Sequence, residues 1–254
     1  MTGRKDLEIP DNFLGTAHRS DSHCEVWPGS VSILVPHSLS LTHSLVDIMP
    51  AELGYWKIRG LAQYIRLLME YVGEDYQDKL YTNGPAPDYF EKSDWKPVKF
   101  NLGLEFPNLP YFIDGDIKIT QSNAIMYHLA RKHDLCGQTE EDKIRVDTLV
   151  NMVFDLRYAF AMLCYKDYNT GKDKYMEALP DKMKAYNDAL GDKRWFVGVK
   201  KTMADFMIYE TLDVHRTLLD ANLLKNFPKL DAFMKRFEDL PPIKKYMSSP
   251  RRLM

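Results

Sequence analysis

Apolar and polar positions follow two different periods along the first part of the chain, which predicts short strands and a helix in turn. Residues 52–56 have the pattern of a short strand, and residues 76–81 alternate as a second strand would. Between them, residues 61–72 place apolar side chains at helical spacing, at positions 61, 65, 68, 69 and 72. Residues 82–107 are rich in Pro and Gly, so a loop with at most one short helix is expected there.

A hairpin and a helix complete this half of the chain. Residues 110–114 and 117–120 flank Gly115, a residue suited to a tight turn between antiparallel strands. Residues 122–133 follow as a helix, and the last turn carries three basic side chains, where positive charge suits the helix dipole. The predicted order of elements is therefore β-α-β-loop-β-β-α.

Strand patterns end near residue 138, and helical patterns follow. One long helix is predicted over residues 140–165 and another over residues 180–190. Thr202 and Asp205 resemble a capping box before a third helix, with Asp in the position usually held by Glu. Residues 227–237 and 243–247 complete this half. The pattern therefore predicts a small α/β domain followed by a larger all-helical (all-α) domain.

Residues 1–48 differ from the rest of the chain. They are rich in Ser, His and Pro and carry no sustained helical or strand period, which is typical of a disordered extension. Met49 and Pro50 then resemble a natural chain start. We therefore expect residues 1–48 to be an N-terminal addition to a complete protein.

Composition narrows the classes of function. The 34 basic and 36 acidic side chains nearly balance, with a formal net charge of -2, so no nucleic-acid partner is expected. No stretch reaches the ~18 consecutive apolar residues that a membrane span needs, so no membrane partner is expected. The three cysteines, Cys24, Cys136 and Cys164, are sparse and lack metal-ligand spacing. They favour a reducing, cytoplasmic location and predict no metal.

The stretch LGYWKIRG at residues 53–60 is the first candidate for chemistry. Its first four residues have the pattern of the end of a buried strand, and a charged turn follows. Tyr55 is therefore either a packed core tyrosine or a hydroxyl presented at a strand end. The stretch alone leaves both interpretations open.

Four longer segments resemble the cytosolic glutathione S-transferases, and the mu class closely: LGYWKIRGLAQYIRLL, YTNGPAPDY, FNLGLEFPNLPYFIDGDIKITQSNAI and ARKHDLCGQTEEDKIRVD. The resemblance extends from about Met49 to Met247. It implies a thioredoxin-like, glutathione-binding domain over residues 49–136 and an all-helical domain with the electrophile site over residues 137–254. It also implies a homodimer that conjugates glutathione, as co-substrate, to hydrophobic electrophiles in detoxification.

The resemblance implies that Tyr55 is the catalytic residue. A free thiol has a pKa of about 8.5, and the thiolate is the nucleophile, so the enzyme must favour ionisation of bound glutathione. A neutral hydroxyl that donates a hydrogen bond to the sulfur achieves this without adding charge. The adjacent Trp56 is implied as a glutathione-binding residue that also borders the hydrophobic pocket.

Further glutathione contacts are implied along the tripeptide. Gln121 and Ser122 open a helix whose free N–H groups suit a carboxylate, and the family uses this pair for the γ-glutamyl end. Leu109 precedes a proline that is cis in the family, so its backbone is implied to pair with the cysteinyl unit. Asn108 is implied to add a side-chain contact.

Three residues are implied at the glycyl carboxylate. Trp95 offers its indole N–H and Lys99 its charge, although a solvated lysine is the alternative for Lys99. The family commonly has an Arg three residues before this Trp. This chain has Lys92 there, in FEKSDW, which loses a bidentate fork.

The helical half is implied to supply the rest of the site. Asp155 matches an acid that reaches across the dimer to the γ-glutamyl ammonium group. Tyr165, Leu61 and Met162 are implied to line the electrophile site, where the Tyr165 hydroxyl faces the electrophile. Phe106 matches an aromatic side chain that inserts into the partner subunit, with a locally buried Phe as the alternative.

The C-terminal segment departs from the family. Members continue past the point where this chain reads SSPRRLM and fold a tail over the electrophile site. We therefore keep an alternative function, that of a weakly catalytic protein that binds glutathione and hydrophobic ligands.

On the long helix, Arg157 is expected to support Asp155 through its charge.

Overall fold

The computed structural model describes residues 50–85, 88 and 90–253. In the first half of this part, strands and helices form in the predicted order. They are β1 (Ala51–Trp56), α1 (Gln63–Val72), β2 (Tyr76–Tyr81), β3 (Tyr111–Asp114), β4 (Ile117–Thr120) and α2 (Ser122–Lys132). The expectation about residues 1–48 lies outside the described residues.

The four strands form one sheet in the order β2-β1-β3-β4. The strands β1 and β2 are parallel and are joined by α1, because a parallel pair needs a crossover connection. The other neighbouring pairs are antiparallel. Leu53 of β1 pairs with Phe112 of β3, and both side chains are fully buried. This mixed sheet agrees with the predicted thioredoxin-like domain.

Helices alone make up the regular elements of the second half of the described chain. They are α3 (Glu140–Met162), α4 (Tyr168–Leu190), α5 (Met203–Leu218), α6 (Pro228–Glu238) and α7 (Pro241–Met247). The predicted all-helical second half is therefore confirmed. In the parts of the chain that the structure describes, none of these helices combines the length and apolar character needed to cross a membrane.

The predicted end of the first long helix is wrong. The regular helix α3 ends at Met162 rather than at residue 165, because Leu163–Asp167 form a wider π-helical turn. This turn leads directly into α4 without an intervening loop. Turns of this kind are frequent at functional sites, because they change the direction of the side chains that follow.

The predicted start of the next helix is also wrong. The helix α4 begins at Tyr168, so Pro180 lies inside it rather than at its first turn. Residues 168–178 are mostly polar and include Gly171, which hides the helical period in the sequence. Leu179 and Met183 are nevertheless buried on one side of the helix, which stabilises it across the proline.

The helix α5 lies at the centre of the second half. Thr202 and Asp205 form the predicted capping box at its start, and the Asp205 carboxylate accepts the Thr202 N–H at 2.8 Å. The helix is buried at every position from Met203 to His215, because it packs against α1, α3 and α6. The predicted cap is therefore confirmed.

The two halves meet along α1 and α5, where buried charges join them. Arg59, in the loop between β1 and α1, forms ion pairs with Glu210 at 2.8 Å and with Asp213 at 2.6 Å. All three side chains are almost completely buried. The loop that follows β1 is therefore held against α5, and this contact positions the site described below.

Candidate active site

A cavity of about 750 Å³ opens where the β1–α1 loop, α3 and α5 approach each other. Its lining is mostly apolar, and its polar groups include Tyr55, Arg59 and Arg157. Among the described residues, no group of three or more His, Cys, Asp or Glu side chains is placed to hold a metal ion. The cavity therefore offers a large apolar surface with a few polar groups at one end.

Tyr55 lies at the end of β1, with its hydroxyl in this cavity. Its ring is buried, and the hydroxyl oxygen accepts a hydrogen bond from the Leu61 N–H at 3.1 Å. Burial raises the pKa of Tyr55 above its ordinary value of 10.0, and this outweighs the opposing effects of the Leu61 bond and of the nearby Arg157 charge. The hydroxyl therefore stays protonated near neutral pH and keeps a hydrogen to donate.

Gly60 makes the close approach of this loop to Tyr55 feasible. Its φ is +42°, and a Cβ built on it would lie 2.6 Å from Tyr55 Cε1 and 2.7 Å from the Tyr55 hydroxyl oxygen. Any larger residue would overlap the ring, in a backbone conformation that only glycine adopts readily. The sequence GYWKIRG therefore encodes both the hydroxyl and the space that it needs.

Arg157 reaches from α3 to the same loop. Its Nη2 donates a hydrogen bond to the Gly60 carbonyl oxygen at 2.6 Å, and its guanidinium lies 5.3 Å from the centre of the Tyr64 ring. Its Nε and Nη1 are buried and have no hydrogen-bond partner among the described residues. Sequence reasoning assigned Arg157 only to the support of Asp155, whereas the structure places it beside Tyr55.

Arg59 lines the cavity, and its two acidic partners, Glu210 and Asp213, lie behind it on α5. Burial raises the pKa of Glu210, while the charge and hydrogen bonds of Arg59 pull it down. Burial also disfavours the charge of Arg59, but Glu210 and Asp213 hold its pKa above the ordinary value. The cluster is a structural ion pair network, and it was not predicted from the sequence.

The start of α2 is the predicted binding point for the γ-glutamyl end. Gln121 precedes the helix with φ of 72°, a left-handed conformation that costs a non-glycine residue of order 1–2 kcal/mol. In the described part of the chain, its side chain makes no capping hydrogen bond, so it leaves the first N–H groups of α2 uncapped. Ser122 is half-buried, and Asn123 lines the cavity. Strain of this kind at an uncapped helix start supports a binding role.

The segment before β3 has the predicted cis peptide bond between Leu109 and Pro110. Leu109 is buried, and its N–H donates to the side-chain Oδ1 of the exposed Asn108 at 2.9 Å. The Leu109 backbone, which the resemblance assigns to glutathione, thus has its N–H bonded to an exposed side chain.

The residues predicted at the glycyl carboxylate differ in their surroundings. Trp95 is 2% exposed and stacks on Tyr111 with ring centres 5.8 Å apart, so most of this ring belongs to the core. Lys99 is half-buried over two phenylalanine rings, with Nζ 5.2 and 5.3 Å from their centres. Lys92 forms an exposed ion pair with Asp88 at 2.7 Å.

Two of the three residues predicted for the electrophile site line the cavity. Tyr165 is 80% exposed and Leu61 is 38% exposed, and both belong to the lining. The lining positions of α3 and of the turn after it include 154, 158, 161 and 165, and Met162 lies to one side of this stripe. Trp56 likewise is not among the lining residues and packs against the core.

The predicted dimer residues lie on the surface. Phe106 is 66% exposed, which excludes the alternative of a locally buried ring. Asp155 is exposed on α3. A second cavity of about 530 Å³ lies between α3 and α4, and its apolar lining includes Ile144, Leu149 and Met152.

Several residues of the main cavity were not predicted from the sequence. Tyr64 of α1 lines it, and α5 contributes Met207, Val214 and Thr217. A signal existed only for Arg59: Glu210 and Asp213 lie in the apolar run MADFMIYETLDVHRTL, and buried charges need a partner. That signal indicates a partner but does not identify Arg59.

Comparisons with known proteins match glutathione S-transferases along most of the chain. Two family models match, described as "Glutathione S-transferase, N-terminal domain" over residues 51–131 and "Glutathione S-transferase, C-terminal domain" over residues 154–250. The chain is 55% identical over 206 residues to Glutathione S-transferase Mu 2 of Mus musculus, covering 81% of this chain and 94% of that protein. It is 53% identical to Glutathione S-transferase Mu 1 of Homo sapiens, with the same coverage. The solved pi-class glutathione S-transferase of Onchocerca volvulus has a TM-score of 0.69 and 34% identity, covering 78% of this chain and 92% of that one.

Proposed function

Since the chain belongs to the mu class of the glutathione S-transferases, we propose how its own residues bind glutathione and ionise its thiol. The protein is an enzyme that conjugates the glutathione thiolate to hydrophobic electrophiles. Its fold is a thioredoxin-like domain followed by an all-helical domain. We propose residues 49–136 and 137–254 as the two domains.

Tyr55 is the proposed donor to the sulfur. The observation that carries this role is that the Tyr55 oxygen already accepts the Leu61 N–H at 3.1 Å, while its pKa is raised. The hydroxyl hydrogen is therefore retained and free to be donated into the cavity. A hydrogen bond to an ionised acceptor is worth about 1.5–3 kcal/mol, which corresponds to about one to two units in the pKa of the bound thiol.

The reaction then proceeds with balanced charge. The thiol proton leaves to solvent, and a sulfur lone pair forms the new carbon–sulfur bond. In a substitution, the leaving group departs with the electrons of its bond to carbon. In an addition, the electrons of the carbon–carbon π bond that the sulfur attacks move into the conjugated acceptor, which then takes a proton from solvent. Tyr165 lies near enough to affect the pKa of Tyr55, and we assign its exposed hydroxyl to the electrophile, where negative charge develops.

The γ-glutamyl end of glutathione is assigned to the start of α2. The uncapped N–H groups after Gln121, with the Ser122 hydroxyl, suit its carboxylate. The ammonium group is assigned to Asp155 of the partner subunit. The cysteinyl backbone is assigned to Leu109, whose N–H is released when the Asn108 side chain moves to the ligand.

The glycyl carboxylate is assigned to the basic side of the β2–β3 loop. Lys99 supplies charge and Trp95 its indole edge, and Trp56 completes the thiol side of the tripeptide. Lys92 is a weaker contact, because its ion pair with Asp88 must be exchanged for the ligand. Leu61 and Met162 are retained as electrophile-site residues, Leu61 in the lining and Met162 at its edge.

We propose a homodimer held by Phe106. A ring that is 66% exposed is unfavourable in water, and the same chain carries an apolar groove of about 530 Å³ between α3 and α4. In a two-fold symmetric dimer, the Phe106 ring of each subunit can pack into the groove of the other subunit, so the same contact forms twice. The proposed location is the cytoplasm, with no nucleic-acid or membrane partner, in keeping with the balanced charge.

The test is Tyr55→Phe, assayed by conjugation of an aryl halide and by ultraviolet titration of the bound thiolate. We expect the pKa of the bound thiol to rise and kcat/KM at neutral pH to fall about tenfold to a hundredfold, with little change in KM for glutathione. Tyr127→Phe is the control, since that hydroxyl bonds Asp147 on the surface. An unchanged rate in Tyr55→Phe would remove the assignment.

A further inference from the structure

The peptide group between Gly60 and Leu61 is hydrogen-bonded on both sides. Its carbonyl oxygen accepts from Arg157 Nη2 at 2.6 Å, and its N–H donates to the Tyr55 hydroxyl at 3.1 Å. These two bonds belong to one amide, whose oxygen and nitrogen are coupled by resonance. A donor that draws electron density onto the oxygen therefore strengthens the N–H as a donor.

The charge of Arg157 is not neutralised by a direct ion pair in the described part of the chain. Its Nε and Nη1 are buried without hydrogen-bond partners, while the guanidinium lies 5.3 Å from the Tyr64 ring centre. A buried guanidinium with unused donors is costly, and packing alone does not require one. The positive charge is also felt at Tyr55, where it opposes the rise in pKa that burial causes.

We propose that Arg157 is a positioning residue for Tyr55. Through the Gly60–Leu61 peptide it fixes and polarises the N–H that the Tyr55 oxygen accepts. With that lone pair occupied, the Tyr55 hydrogen is directed at the glutathione sulfur and is donated more strongly. This inference rests on the proposed role of Tyr55 and adds a residue from the helical domain to thiol activation.

The geometry also separates this role from a simple charge effect. A cation acting directly on the sulfur would need no particular contact with the loop. The 2.6 Å bond from Arg157 to the Gly60 oxygen instead places the charge on the far side of the amide from Tyr55. The effect of Arg157 should therefore depend on the presence of the Tyr55 hydroxyl.

The experiment is a double-mutant cycle of Arg157→Leu and Tyr55→Phe, with Arg157→Met as a second variant that retains a long stem over Tyr64. The readouts are the ultraviolet titration of the bound thiolate and kcat/KM for an aryl halide against pH. Arg157→Leu is expected to raise the pKa of the bound thiol and to lower kcat/KM at neutral pH about three- to tenfold. The rates should approach those of the wild type at alkaline pH, with KM for glutathione little changed.

Arg236→Leu is the matched control. Arg236 on α6 also donates to a backbone carbonyl, that of Arg194 at 2.7 Å, and also lies over an aromatic ring, 5.4 Å from the centre of Trp195. It shares the contacts of Arg157 but does not line the cavity. Its pH profile is expected to match that of the wild type.

The cycle separates the outcomes. In the Tyr55→Phe background, Arg157→Leu is expected to have little further effect on the thiol pKa. An equal effect in both backgrounds would mean that Arg157 acts on the sulfur directly, which overturns the relay. If Tyr55→Phe changes the titration and neither Arg157 variant does, the inference falls and the role of Tyr55 stands. If Tyr55→Phe also leaves the titration of the bound thiol unchanged, the proposed role of Tyr55 fails as well.

Discussion

Gly60→Ala should displace the hydroxyl-bearing ring or the loop beside it, because this glycine packs directly against Tyr55. A Cβ at this position would lie 2.6 Å from Tyr55 Cε1, and the φ of +42° is left-handed. Tyr55 is only 6% exposed, so its ring has little room to retreat. The Gly60–Leu61 peptide must therefore move, and the N–H donor of Leu61 moves with it.

Two costs add in this variant. The left-handed conformation costs an alanine about 1–2 kcal/mol relative to glycine, and overlap in a packed core adds about 1–3 kcal/mol. We therefore expect the free energy of unfolding to fall by about 2–5 kcal/mol. Loss of alignment at Tyr55 should also raise the pKa of the bound thiol and lower kcat/KM at neutral pH about tenfold.

Gly115→Ala measures the first cost alone, so its difference from Gly60→Ala gives the cost of the overlap. Gly115 has a φ of +58°, and a Cβ there would meet nothing within 4 Å, so this variant carries the strain without the overlap. Urea unfolding followed by tryptophan fluorescence measures stability, and ultraviolet titration measures the bound thiol. The reasoning is refuted if Gly60→Ala loses no more stability than Gly115→Ala and leaves the thiol pKa at its wild-type value.

Two further predictions concern pH and assembly. Burial lowers the pKa of His215 from 6.5 to about 4, with its ring nitrogens 2.6 Å from the Thr211 carbonyl oxygen and 2.7 Å from the Tyr175 hydroxyl. The unfolded chain then binds more protons in this window, so stability should fall by up to about 3 kcal/mol as pH drops from about 6.5 to about 4. In His215→Gln, the free energy of unfolding, measured with urea, should lose this part of its dependence on pH. An unchanged pH dependence would contradict the assignment. Phe106→Ser should shift the protein towards monomer in sedimentation velocity. Phe100→Ser, which changes a ring that is 72% exposed, should not. A dimer that persists in Phe106→Ser would count against the proposed contact.

The elements that could be predicted from the sequence depend on neighbouring residues. The turn at Gly115 and the cap formed by Thr202 and Asp205 arise from local hydrogen bonding and conformational preference, so their motifs suffice. Pro180 shows the limit of such reasoning, because tertiary packing of α4 overrides the local signal. The helix continues through the proline where the pattern predicts a start.

The site combines local and distant information. The resemblance singled out Tyr55, which lines the cavity, because this residue lies within a short recognisable segment. Arg157 contacts Gly60 across 97 positions of sequence, and Arg59 contacts Glu210 across 151. No periodic pattern encodes contacts of that range, because they depend on how two separately predicted domains pack. This is why the contacts of Arg59 and Arg157 beside the cavity emerge only from the structure.

The buried charges between Arg59 and α5 also determine how the protein comes apart. Removing one partner of a buried ion pair costs about 3–5 kcal/mol, because the other charge is left buried without compensation. Glu210 and Asp213 both pair with Arg59, and Asp213 also pairs with Arg216 at 2.7 Å, so separating the halves would break both ion pairs of Arg59 at once. Neither domain can therefore loosen from the other at low cost, and unfolding should be a single cooperative event. A conjugating enzyme built this way keeps its two halves in register for as long as it is folded.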